Sequence, residues 1–173
     1  MAIFIQKFFT LSFVVFACFF SLPAEAKDHV GRARIVDGDT IVINGVRIRF
    51  YGLDTPEKKQ LCKRANGKPY RCGSAATAYL RGLIGKQRVV CRDLGPAIIG
   101  QRRWGKCTVN GKDIFKAMVR AGHARIFHTS EYAVEEKQAC AAKIGLWQGF
   151  HKTPGQFRRC FRRDRSQYRA CSF

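Results

Sequence analysis

From Ile35 to Glu57 the chain reads IVDGDTIVINGVRIRFYGLDTPE. Thr40 to Ile43 and Val46 to Leu53 alternate or run apolar with β-branched residues, and the Asn44-Gly45 pair between them is a tight-turn signal. With Arg34 to Val36 ahead of them, they make the chain open as a β-meander. The same stretch holds Asp37, Asp39, Asp54 and Glu57, four of only twelve acidic residues in the chain. Carboxylates that merely solvated a surface would be scattered. Gathered beside Arg47 and Arg49 in a chain of net charge +20, they point to a hard cation held next to a phosphate.

Upstream, residues 1–26 carry Lys7, an apolar run from Phe8 to Leu22, and then Pro23-Ala24-Glu25-Ala26. A charged start, a short apolar run and small residues at Ala24 and Ala26 read as a signal peptide cleaved before Lys27, rather than a membrane anchor, for which the run is short. Lys7 and Glu25 cancel, so the mature chain keeps the whole excess charge. It is expected to be a monomer, secreted or periplasmic, with no stable membrane anchor. Its size fits one domain with a real core. Its charge attracts polyanions, whether nucleic acid, acidic polysaccharide or an anionic membrane, without choosing among them.

Of the eight cysteines, Cys18 falls in the leader. Export favours disulfides for the rest, and no spacing forms a CxxC knuckle. The pairs expected are Cys62 with Cys72, Cys91 with Cys107 and Cys160 with Cys171. Cys140 is left over and is expected to be buried on a helix face.

Downstream of the meander, Lys58 to Arg71 is polar and reads as a surface loop. A helix starts at Gly73-Ser74, repeats Ala76, Leu80, Leu83 and Ile84 at helical spacing, and stops at Gly85. Strands follow at Arg88 to Arg92 and Trp104 to Val109. Asp113 caps a second helix that ends near Gly122. Ser130 caps a third, Glu131 to Ile144. This order fits an α+β fold, a five-stranded Greek-key β-barrel of the OB type with three α-helices, over residues 27–150. Residues 151–173 form a basic, cysteine-containing C-terminal extension whose lone acid is Asp164. It is either a disordered arm or a disulfide-tied segment, and a Cys160–Cys171 loop favours the second. Either way it adds phosphate-seeking charge.

VDGDT at Val36 to Thr40, DTPE at Asp54 to Glu57 preceded by Arg49, WGK at Trp104 to Lys106, VRAG at Val119 to Gly122 and GLW at Gly145 to Trp147 occur in this order. Together they resemble the staphylococcal-nuclease-like (thermonuclease) family over roughly Arg32 to Gly149. That resemblance implies an OB-fold barrel that cleaves DNA and RNA phosphodiesters using calcium. It casts Asp39 and Asp54 as calcium-ligand carboxylates, the Thr55 carbonyl as a third ligand, Glu57 as general base and Arg49 as the first phosphate-gripping arginine. Asp37 shapes the turn at Gly38.

The chain departs from the family where the second arginine is expected. Lys106 stands there, keeping the charge but losing the bidentate fork, so the resemblance implies weakened catalysis unless Arg102 or Arg103 substitutes. Arg103 takes the place of a phosphate-binding lysine and Trp104 that of a tyrosine, both implied nucleotide contacts. Phe127 to Ser130 stand near the family's base-stacking tyrosines, with Tyr132 a nearby aromatic. Two other readings stay open: a nuclease-like polyanion-binding module with impaired chemistry, or a role with acidic exopolysaccharide, since some exported family members are linked to succinoglycan production.

Overall fold

A computed structural model of the chain describes residues 28–97 and 100–173, and the segment read as a signal peptide lies outside them. Among the described residues, five strands build a barrel: β1 (His29–Ile35), β2 (Thr40–Ile43), β3 (Val46–Phe50), β4 (Arg88–Pro96) and β5 (Arg103–Val109). β1 is shared along its length. Its first half pairs with β4, His29 opposite Cys91, and its second half with β2, Ala33 opposite Ile43. β2 and β3 form the expected hairpin, and Asn44 and Gly45 both have positive φ, 49° and 82°. That backbone matches the twist of the strands it joins. β3 then runs parallel to β5, Arg49 opposite Trp104, and closes the barrel in the order β1-β2-β3-β5-β4.

Alternate residues point inward. Ile41, Ile43, Ile48, Phe50, Val89 and Val109 are buried in the barrel. Cys91 and Cys107 face each other across β4 and β5 and are joined by a disulfide. Helix α1 (Cys72–Ile84) lays Ala76, Leu80 and Ile84 on this core, as its four-residue spacing dictates. Helix α2 (Ile114–Arg120) is capped as expected by Asp113, whose carboxylate accepts from the Phe115 and Lys116 N–H groups at 2.7 and 3.1 Å.

Three expectations need correction. The third helix, α3, runs Ala133–Ala141 with Tyr132 rather than Ser130 at its N-cap, and Gly145 opens a 3₁₀ turn, Gly145–Gln148. Cys140 is exposed, because the inward face of α3 is set by Glu135 and Ala139. The loop 58–71 contains a small ribbon, Cys62–Lys63 against Pro69–Tyr70. The three α-helices expected over residues 27–150 are present, and the extension adds α4 (Pro154–Arg163) and α5 (Tyr168–Ser172). Cys62–Cys72 and Cys160–Cys171 are bonded, as expected. No helix among the described residues is long and apolar enough to cross a membrane.

Asp93 knots three strands together. Its Oδ2 accepts from Arg103 Nε at 2.8 Å and lies 2.9 Å from His29 Nε2, while Oδ1 accepts from the Gly95 N–H at 2.8 Å. Burial pushes this carboxyl up, but those three partners prevail and hold it at about 2. A depressed carboxyl stabilises the fold above its unfolded value, near 4, and that contribution fades as pH falls through about 2. Asp93→Asn is therefore expected to lower unfolding free energy by ~1–2 kcal/mol at pH 7, with the difference from wild type shrinking toward zero at pH 2. Urea titrations at pH 7, 4 and 2.5 check this; a gap unchanged across that range would refute it.

Candidate active site

Register brings the two acidic motifs to one end of the barrel. Thr40 pairs with Arg49, and the Phe50 N–H donates to the Asp39 carbonyl at 2.8 Å, so Asp39 and Arg49 leave the hairpin together. The chain then turns through Tyr51-Gly52, and Leu53–Asp54 pairs with Arg125–Ile126. This carries Asp54 back beside Asp39. The Asp39 N–H donates to Asp37 Oδ1 at 3.2 Å, so Asp37 shapes the turn, as read from the sequence.

One guanidinium spans both buried acids. Arg49 Nη1 lies 3.0 Å from Asp39 Oδ1, and its Nη2 donates to Asp54 Oδ1 at 3.4 Å. Asp39 also accepts from the Thr40 hydroxyl at 3.0 Å and from the Thr55 N–H at 3.4 Å. Burial pushes the Asp39 carboxyl up to about 7 against the pull of Arg49, with repulsion from Asp37 and Asp54 adding to the rise. Two buried carboxylates at one guanidinium, next to the Thr55 peptide, are hard oxygen donors of the kind calcium takes. Among the described residues no three acidic, histidine or cysteine side chains enclose a point by themselves. A cation there would complete its shell with backbone, water and substrate oxygens.

Glu57 sits on a turn pinned from several sides. Its N–H donates to Gln60 Oε1 at 3.2 Å and its carbonyl accepts from the Gln60 N–H at 2.7 Å. Gln60 is fully buried, and its Nε2 donates to the Lys152 carbonyl at 2.8 Å. Gly73, in the first turn of α1, packs against the same turn. A Cβ there would stand 1.8 Å from the Glu57 carbonyl oxygen.

Sequence reasoning missed Arg158. From α4 it lays its guanidinium on Asp54 with two bonds, Nη1 to Oδ1 at 2.8 Å and Nη2 to Oδ2 at 3.0 Å, and Nη1 also donates to Glu57 Oε1 at 2.8 Å. Burial weakens its positive form, but these bonds outweigh that and strengthen the Arg158 charge. The extension thus turns at least one charge inward, beyond the general attraction for phosphate expected of it. A local signal existed: TPGQFRRCFRR has a Thr-x-x-Gln capping box and Phe157, Cys160 and Phe161 at helical spacing, which marks a docked helix.

The remaining candidates lie around this cluster. Lys106 is engaged by Glu131 and Arg103 by Asp93. Arg102 has its charge disfavoured first by burial, then by Arg49 and Arg47, while Asp39 and Asp37 favour it; it belongs to the Asp39 side. Trp104, opposite Arg49, meets Tyr51 edge-to-face at 5.8 Å, and Tyr51 is 42% exposed. Tyr132 is buried and donates to Asp113 Oδ2 at 2.9 Å, a core role. Phe127 is exposed and packs on His128. A cleft of about 280 Å³ runs beside Glu57, walled by Lys58, Lys59, Phe157, Arg158 and Arg162 among others.

A family model described as "Staphylococcal nuclease homologue" matches residues 47–149. Among curated proteins, the chain is 31% identical over 128 residues to "Succinoglycan biosynthesis protein ExoI" of Rhizobium meliloti, covering 71% of this chain and 66% of that one. It is 30% identical over 148 residues to "Uncharacterized endonuclease" of Escherichia coli, covering 78% and 88%. It is 28% identical over 137 residues to "Probable endonuclease lcl3" of Botryotinia fuckeliana, covering 70% and 50%. The chain thus spans about two thirds of the first of these relatives and half of the last.

The Gly73 contact gives a direct check on how Glu57 is placed. A backbone oxygen cannot swing aside as a side chain can, so Gly73→Ala overpacks this junction and is expected to cost about 1–3 kcal/mol. Thermal unfolding should show a melting temperature lower by several degrees. A melting temperature within a degree of wild type would mean that α1 does not set the Glu57 turn.

Proposed function

The chain belongs to the staphylococcal nuclease family, and on that premise we propose that it is an exported, calcium-dependent nuclease that hydrolyses DNA and RNA phosphodiester bonds. The observation that carries the reading is the meeting of Asp39, Asp54 and Arg49 at one end of the barrel with Glu57 joined to Asp54 through a shared guanidinium. The names of the relatives from Escherichia coli and Botryotinia fuckeliana support it. Three disulfides and the apolar leader support export, since such bonds persist in oxidising compartments.

In this reading Asp39, Asp54 and the Thr55 carbonyl would hold calcium, which when bound supplies positive charge to a non-bridging phosphate oxygen. Glu57 accepts a proton from the attacking water as its oxygen bonds to phosphorus and the ester P–O bond breaks. Arg49 donates to the equatorial oxygens, where negative charge grows. Trp104 and Tyr51 offer an aromatic face on which a base can stack, while Lys106 and Arg103 add charge along the strand. Contacts to the backbone rather than to base edges make the enzyme indifferent to sequence.

A second reading is favoured by two observations. Lys106, where the second arginine is expected, is engaged by Glu131, and one relative is named for succinoglycan biosynthesis. A polyanion-binding protein without efficient turnover would suit both. Purified protein lacking residues 1–26 separates the readings. Single-stranded DNA and RNA should be cut at millimolar calcium and spared with a chelator. Glu57→Gln should lower kcat by about 10²–10⁴-fold, and Asp39→Asn or Asp54→Asn should abolish calcium stimulation. Tight, salt-sensitive binding of DNA or acidic polysaccharide with no cleavage would establish the second reading instead.

A further inference from the structure

Two guanidiniums meet at a single carboxylate oxygen. Arg49 reaches Asp54 Oδ1 from β3 and Arg158 reaches the same oxygen from α4. Arg49 holds Asp39 on its far side, and Arg158 holds Glu57 on its own. The side chains therefore run as an alternating chain, Asp39, Arg49, Asp54, Arg158, Glu57. A phosphate seated against Glu57 and Asp54 would have an arginine fork on each flank. Lys106 supplies no such fork, because an ammonium is a point charge.

The extension that brings Arg158 is built into the fold. Phe157 is buried, and the next turn stacks Phe161 on it at 5.4 Å. Thr153 and Gln156 close a capping box at the start of α4, and Cys160–Cys171 ties α4 to α5. Buried Ser172 accepts from the Leu61 N–H at 3.0 Å, and the Phe150 carbonyl from the Lys63 N–H at 2.8 Å. The last two of these anchors, at Leu61 and Lys63, end on the segment that follows Glu57. A removable strap would not share its attachment with the general base. Arg158 keeps a third of its side chain exposed and borders the cleft beside Glu57, so a bound strand can reach it.

We propose that Arg158 is the second phosphate-gripping residue of this site, supplied by the C-terminal extension instead of by the strand that carries Lys106. The proposal rests on the nuclease reading above. Its role is to donate to the equatorial oxygens of the attacked phosphorus, opposite Arg49, through the N–H groups that Asp54 and Glu57 do not take.

The test uses the complete exported chain with calcium and single-stranded DNA, comparing wild type, Arg158→Ala, Arg158→Lys, Arg102→Ala and Arg163→Ala. Arg163 is an exposed arginine of the same helix and controls for the loss of one charge. Arg158→Ala should lower kcat/KM by about 10²–10³-fold, Arg158→Lys should recover only part of it because an ammonium lacks the fork, and Arg163→Ala should stay within about twofold. Circular dichroism and melting curves accompany each variant; if Arg158→Ala does not fold, Arg158→Lys and Arg158→Gln carry the comparison. Cleavage at or above the wild-type rate in Arg158→Ala overturns the proposal, a rise meaning that Arg158 plugs the site. A loss confined to Arg102→Ala overturns it too, by giving the role to the Asp39 side. In both cases wild type still cuts and the nuclease reading stands. Wild type that cuts nothing removes both.

Discussion

A carboxylate taken out of water must be met by a positive charge, and this molecule buries two of them side by side. Asp39 and Asp54 are 3% and 5% exposed, in a setting where leaving either unpaired would cost several kcal/mol. Arg49 answers both from the barrel, yet Asp39 is still pushed up to about 7, chiefly by burial. A second guanidinium, Arg158, meets Asp54 from the extension. The extension carries that second charge to the end of the barrel, where it also reaches Glu57.

The barrel contributes direction. Parallel closure of β3 on β5 puts Trp104 across from Arg49, and the hairpin register puts Asp39 at the same end. These relations are set by pairing, and a slip of one residue would send Arg49 inward and Phe50 out. The loop after Asp54 has no such ladder to hold it. It is fastened instead by Gln60, by the Cys62–Cys72 bond to the start of α1, and by the extension, whose own Cys160–Cys171 bond keeps α4 and α5 together. Two of the three disulfides thus stand outside the barrel sheet, while Cys91–Cys107 crosses it. Outside the sheet is where a turn without ladder partners would otherwise be least determined.

What could be read from the sequence was local. DGDT, the Asn-Gly turn and DTPE lie within two strands of each other, so spacing and residue type gather four carboxylates beside Arg47 and Arg49, and the family resemblance singles out Asp39, Arg49, Asp54 and Glu57 among them. The disulfides were legible because Cys62 and Cys72 bracket a short loop and Cys91 and Cys107 lie on consecutive strands. Cys140 was misread because α3 has little amphipathic contrast: Glu135 is among its buried residues while Val134 is exposed, and the inward face cannot be picked from polarity. Arg158 stands 104 positions from Asp54 in a run of arginines that all look alike. Only docking distinguishes it, through the burial of Phe157 one residue earlier.

The balance of charge explains why guanidinium is the useful form of that charge. The field of a +20 chain draws a polyanion toward the surface as a whole, but at the site itself it meets three carboxylates, which repel phosphate over the last few ångströms. Lysines on the rim, such as Lys58 and Lys59, raise the rate of encounter and leave that short-range repulsion in place. An arginine bonded to a carboxylate cancels it where it acts and, with five N–H donors, keeps some beyond those it spends there. Arg49 and Arg158, each shared between two acids, meet that requirement. Attraction at long range and acceptance at contact are then separate tasks, assigned to different basic residues of the same chain.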